Sequence, residues 1–166
     1  LVISSVFADA SQDAVVRERI QAGKDRKASG KVIDALMFRH WDSWLDGRVD
    51  HVFVVDVATG QAADLTPGPW PAPPLYLSGP PDYCASPDGA EVFFTSVRDA
   101  ELARSTNVNI WRVDSDGSAP PERVSPGQGC NVFPALSPCG SFLAYCAMER
   151  AGYESDRPRL FVLDRK

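Results

Sequence analysis

The chain has 166 residues, 44% of them hydrophobic, and a formal net charge of −5. That length supports one domain with its own core. The acidic balance and the lack of a basic stripe exclude a nucleic-acid partner, and no run reaches the ~18 apolar residues of a membrane helix, so no membrane partner is expected.

In chain order, Leu1 to Phe7 reads as a buried strand. The stretch to Ala8-Asp9-Ala10 has a faint likeness to a signal-peptide end with an Ala-x-Ala site. It lacks a basic n-region, and two serines break its apolar run. The leucine at position 1 leaves open a processed start or a piece of a longer chain. Residues 12–37 break the strand pattern. Ala14, Val15, Ile20 and Ala22 fall at near-helical spacing, with Ser11 or Asp13 as cap and Gly23 as stop. Lys24 to Lys27 reads as a solvated helix face. A second short helix or irregular strand is expected over Lys31 to Phe38. The reading for this insertion is a helical lid over a sheet edge or face.

Arg39-His40-Trp41-Asp42-Ser43-Trp44 is the most distinctive string. His40 and Asp42 make no triad without a serine on an elbow. The expected role is structural: Trp41 and Trp44 pack between sheets, while Arg39 and Asp42 pair or bond backbone groups. Residues 69–81, with Pro69, Pro71, Pro73, Pro74, Pro80 and Pro81 around Trp70 and Tyr76, read as a stiffened connection. Arg98 to Asn109 reads as a loop with Asp99, Glu101 and Arg104 solvated.

Repetition organises the rest. Tyr83 to Thr95 aligns with Pro134 to Cys146, each with a Ser-Pro-x-Gly turn: Ser86-Pro87-Asp88-Gly89 and Ser137-Pro138-Cys139-Gly140. A strand ending in Asp occurs three times, at His51 to Asp56, Asn109 to Asp114 and Arg159 to Asp164. Asp64-Leu65-Thr66-Pro67-Gly68 is echoed by Arg123-Val124-Ser125-Pro126-Gly127. Proline presets φ at the first turn position and glycine accepts a positive φ. Cys139 replaces the aspartate and removes a side-chain acceptor. Val92 to Thr95 and Val52 to Val55 are nearly continuous apolar runs, which suit strands covered on both faces.

Four strands per unit and a period of roughly fifty residues describe a β-propeller blade. The fold expected is all-β: a partial propeller of about two and a half four-stranded blades with a helical insertion near the N-terminus. Residues 1–7 and 41–68 form a partial blade, 8–40 the insertion, 69–127 a complete blade and 128–166 a further partial blade. A ring of about four to eight blades cannot close from this alone.

No G-x-S-x-G elbow, P-loop, G-x-G-x-x-G, H-E-x-x-H or EF-hand loop is present. The histidines are His40 and His51, and the cysteines Cys84, Cys130, Cys139 and Cys146 form no C-x-x-C pair. No catalytic residue, metal or cofactor is therefore expected in these residues. Cys84 and Cys146 read as small buried hydrophobes, with a disulfide left open. Substrate-binding residues are not legible, and the compartment, cytoplasmic or periplasmic and secreted, stays undecided.

The turn repeats and the strand-Asp-x-x-Gly pattern resemble propeller repeats of the prolyl oligopeptidase family and of Tol-system proteins. Arg39 to Trp44 with Asp46-Gly47-Arg48 and His51 to Val54 resembles the acylaminoacyl-peptidase and dipeptidyl-peptidase branch. Ser96 to Asp99, Ser105 to Asn107 and Met148 to Arg157 do so too. The resemblance implies a propeller over a C-terminal α/β-hydrolase domain of the parent chain that holds a Ser-Asp-His triad. Its substrates would be short peptides, with dipeptides or acylated residues released from N-termini. The Tol-like alternative implies a protein-binding scaffold.

Overall fold

The computed structural model describes residues 1–34, 36–75, 82–99 and 102–166. The readings for Tyr76, Pro80, Pro81 and Glu101 lie outside the described residues. Strand β1 (Val2–Phe7) is followed by helix α1 (Asp13–Lys24) and by a small hairpin of β2 (Arg39–His40) and β3 (Ser43–Trp44). Then come β4 (Arg48–Val55) and β5 (Ala62–Asp64), next β6 (Tyr83–Ala85), β7 (Glu91–Ser96), β8 (Asn109–Asp114) and β9 (Glu122–Arg123), and last β10 (Asn131–Leu136), β11 (Phe142–Ala147) and β12 (Arg159–Asp164).

Besides the two-stranded β2–β3, the described residues form three antiparallel sheets, in the orders β1-β4-β5, β6-β7-β8-β9 and β10-β11-β12. The middle sheet is the four-stranded blade. Position for position, β1 corresponds to β7 and β11, and β4 to β8 and β12. The all-β partial propeller is what the chain forms, with one helix near its N-terminus.

The middle sheet is buried on both sides, which explains its unbroken apolar runs. Val92 and Phe94 join Val52, Leu65, Ala72 and Val113 in the seam with the first sheet. Phe93, the residue between them, joins Ile110, Leu143, Tyr145 and Ala147 in the seam with the third. Each fully buried phenylalanine contributes about 1.5–3 kcal/mol. The outer faces are treated differently. α1 lays Val16 and Ile20 on Val6 and Phe53 of the first sheet. On the third sheet Leu160 is 73% exposed and Val162 63%. The total accessible surface is 10591 Å², whereas a closed monomer of this mass has about 8,000 Å².

The repeated turns use one set of bonds. Ser86 Oγ accepts from Glu91 N at 2.9 Å, and Ser137 Oγ accepts from Phe142 N at 3.1 Å. Gly89 and Gly140 have φ of 74° and 72°, which explains glycine at the fourth turn position. The Cys139 Sγ lies 3.3 Å from Ser137 Oγ, so the thiol keeps a weak contact where Asp88 bonds Ser86. Gly129 has another reason: a Cβ there would come 1.9 Å from the Met148 carbonyl oxygen.

The Leu-Thr-Pro-Gly and Val-Ser-Pro-Gly echoes also acquire a cause. The Thr66 hydroxyl accepts from Val52 N at 3.0 Å, and the Ser125 hydroxyl accepts from Ile110 N at 3.0 Å. Each fourth strand is so short that the third strand outruns it, and the hydroxyl serves the first N–H left over. Helix α1 departs from expectation at both ends. Gln12 occupies the N-cap without a side-chain bond, so neither Ser11 nor Asp13 caps it, and the helix runs past Gly23 to a cap at Asp25. The stretch before Arg39 forms neither helix nor strand among the described residues.

Replacing Thr66 by valine in the full propeller keeps the shape and strands the Val52 N–H. A loss of about 1–3 kcal/mol is expected in urea unfolding; an unchanged midpoint counts against the staple.

Candidate functional site

The strand order sorts every connection to one of two ends. The turns at 86–90 and 137–141, with those after β4 and β8, lie at one end. At the other lie the described residues of the insertion after β1, of the links 65–75 and 124–130 between sheets, and of the loops 97–99, 102–108 and 148–158. Bonds within each end agree with this. At the loop end Gly152 N donates to Thr106 Oγ1 at 2.6 Å, Ser96 Oγ to the Pro71 carbonyl at 2.9 Å, and Asn131 Nδ2 to the Val108 carbonyl at 2.9 Å. At the turn end Arg165 donates to the Gly140 carbonyl at 2.7 Å and pairs with Glu91, which Arg112 also holds at 2.7 Å. Burial pulls the Glu91 carboxyl up, but the two guanidinium groups outweigh it and leave it below the ordinary value.

Among the described residues, the buried side-chain groups with incomplete bonding lie towards the loop end. The Arg98 guanidinium lies 4.0 Å from the Trp111 ring centre, a cation–π contact. Arg98 Nε and Trp111 Nε1 are both buried without a hydrogen-bond acceptor. Burial lowers the Arg98 pKa. Asp82 is 3% exposed, accepts from Phe133 N at 3.1 Å, and is pushed up by burial. It pins the bulge of β10, where Phe133 sits at φ 60°. Asp99 accepts from Asn107 Nδ2 at 3.3 Å and from the Ser105 hydroxyl, so it braces its loop rather than merely facing solvent. A polar cleft of about 490 Å³ lies between Ala103–Thr106 and Gly152, Glu154 and Ser155.

The tryptophan string sits in the β2–β3 hairpin. Trp41 and Trp44 do not pack between sheets: they are 69% and 54% exposed. The reason is local. Arg39 pairs with Trp44 and His40 with Ser43, so Trp41 and Asp42 form a two-residue turn. Trp41 adopts φ 54° there, and the string never enters a sheet. Arg39 donates to the Trp41 carbonyl, and Asp42 accepts from the Ser43 hydroxyl at 3.1 Å, so no Arg39–Asp42 pair forms. Trp44 lies against Phe38 at 5.9 Å between ring centres, with Lys31 5.2 Å from the Trp44 ring.

The sequence marks His51 only as a strand residue. Its Nδ1 lies 2.8 Å from Asp64 Oδ2 and its Nε2 2.9 Å from the Gly68 carbonyl. With both ring nitrogens committed and the side chain buried, this His–Asp pair is structural. The available signal is the polar residue five positions before the aspartate that ends each repeat: His51, Asn109 and Arg159. Ser86, Pro87, Asp88, Gly89, Ser137, Pro138 and Gly140 lie in the turns at the far end, away from the loops.

All four cysteines are free. Bonds from Ser137 and Ser141 bring exposed Cys139 down to about 7, whereas burial, with Asp82 nearby, pushes Cys130 up to about 11. Among the described residues no group of three His, Cys, Asp or Glu side chains is placed to hold a metal, and no helix is long and apolar enough to cross a membrane.

No family model matches the sequence. Dipeptidyl-peptidase 5 of Porphyromonas gingivalis is 37% identical over 147 residues, 83% of this chain and 21% of that protein. Dipeptidyl-peptidase 5 of Porphyromonas endodontalis is 37% identical over 143 residues, 82% of this chain and 20% of that protein. The enzyme of the same name from Aspergillus fumigatus is 31% identical over 159 residues, 81% and 22% respectively. The solved structure of a TolB-assigned protein from Agrobacterium tumefaciens superposes with a TM-score of 0.53 at 25% identity, covering 70% of this chain and 38% of that one. The chain folds as part of a β-propeller and is similar in sequence to a stretch of dipeptidyl-peptidase 5. It spans about a fifth of the length of the curated relatives it matches.

The thiols of this propeller segment give a direct check on the local electrostatics. On titration with iodoacetamide, Cys139 alkylation is expected to rise through pH ~7, since the thiolate is the nucleophile. Cys130 should lag throughout. Peptide mapping that finds Cys130 labelled first would contradict the geometry of both sites.

Proposed function

We propose that these residues form a non-catalytic part of the propeller of a serine exopeptidase that releases dipeptides or acyl-aminoacyl residues from peptide N-termini. The observation that carries this reading is the match to dipeptidyl-peptidase 5 along 83% of the chain but 21% of the relative. The sequence holds no nucleophile elbow. In this reading an α/β-hydrolase domain elsewhere in the parent chain supplies the triad, and the division into two partial blades, one complete blade and an insertion is the propeller's own. The loop end faces that domain, and short peptides reach the triad past it. Bonding at that end suits the passage of peptides, because Arg98 and the polar cleft present groups that a peptide's carbonyls and termini can engage.

The test is turnover of dipeptidyl and acyl-aminoacyl chromogenic substrates by the full parent chain and by these 166 residues. The parent should be active and lose activity to a serine-directed reagent, while the segment alone should be inactive. Reagent-sensitive turnover from the segment alone would overturn the assignment. For gating, the parent should discriminate against long peptides, and equal rates on short and long substrates would remove the gate.

The likeness to the TolB-assigned structure favours a second reading, a protein-binding scaffold. An elbow in the downstream reading frame supports the peptidase; further repeats followed by a stop support the scaffold.

A further inference from the structure

The insertion displays an apolar surface that the three sheets leave open. Val32 is 94% exposed and Leu36 67%, alongside the exposed side chains of Ile33, Met37, Trp41 and Trp44. Their exposed apolar areas sum to the order of several hundred Å², the amount that marks an interface where it is gathered in one patch. Tryptophan in such a patch is a typical anchor. The hairpin is ordered within itself by the Phe38–Trp44 ring contact and by Leu45 N donating to the Phe38 carbonyl at 3.0 Å.

Three observations narrow what covers it. The insertion leaves the first sheet at the loop end, while blades of a ring stack on sheet faces. The sheet face from which the insertion rises is already covered in part, by Val16 and Ile20 of α1 on Val6 near the loop end and on Phe53 nearer the turn end. And nearly four fifths of each related peptidase lies outside the region this chain matches.

We propose that the Trp41–Trp44 hairpin, with Val32 and Leu36, is the surface on which the propeller holds the hydrolase domain of its parent chain. This rests on the peptidase reading given above and adds to it the place of contact. The predicted occupant is an apolar surface of that domain. Lys31, Arg39 and Asp46 around the hairpin would form the polar rim usual at such contacts.

The experiment is site-specific photo-crosslinking in the full parent chain, with a photoreactive residue at position 41, at 44 and, as control, at 57. Val57 is 96% exposed but belongs to a turn at the opposite end. Positions 41 and 44 should crosslink to peptides of the hydrolase domain and position 57 should not. The double variant Trp41→Ser, Trp44→Ser should lose a crosslink placed at Leu36 and speed proteolytic separation of the two domains. Crosslinks from 41 and 44 confined to the propeller, formed to a second copy, or absent would overturn the docking proposal. The two readings fail separately. A parent without an elbow sinks the peptidase reading. A parent active on dipeptidyl substrates but without these crosslinks sinks only the docking surface.

Discussion

The structure depends on the two-sided burial of β7. Val92 and Phe94 face one neighbour and Phe93 the other, so the strand cannot satisfy one seam without presenting the second. The strand period of two makes that commitment unavoidable. A lone sheet of this composition would leave a row of aromatics in water. Stacking is the way out, and the same logic leaves Leu160 and Val162 of the third sheet open to a further neighbour.

Within that stack, the blades solve recurring problems with different residues. The hydroxyl that serves the third strand is Thr66 in one and Ser125 in the next, which is the same chemistry. The carbonyl that follows is handled otherwise. Gly68 meets His51 from the third strand, with Asp64 behind the ring. Gly127 meets Arg123 from the fourth strand, and Asn109, where the first blade has histidine, turns instead to Ser125. A donor is required at that carbonyl, but the sheet does not dictate which strand supplies it. His51, backed by Asp64, and Arg123 are alternative answers to one unmet acceptor.

These contrasts separate what was legible in the sequence from what was not. The Ser-Pro-x-Gly turns were legible because proline and glycine fix φ, and φ is a property of single residues. The sheets followed because unbroken apolar runs of β-branched and aromatic residues have few other uses. The tryptophan string misled for a physical reason. Two tryptophans beside an arginine and an aspartate have the composition of a packed seam, but a two-residue turn at Trp41-Asp42 directs them outward. The bracing role of Asp99 and the partners of His51 depend on strands far apart in the chain meeting in register, so spacing alone does not disclose them. The missing N-cap side chain on α1 shows packing against Val6 and Phe53 outweighing capping.

The unequal ends of the stack have a consequence for how such a protein diversifies. The turn end is closed by short links whose hydroxyls, glycines and the Glu91 ion pairs all bridge strands or sheets, so any added residue there shifts a register. The loop end absorbed some forty residues between β1 and β4 while leaving both seams intact. Added length at the loop end therefore leaves the seams undisturbed, a freedom that the turn end lacks.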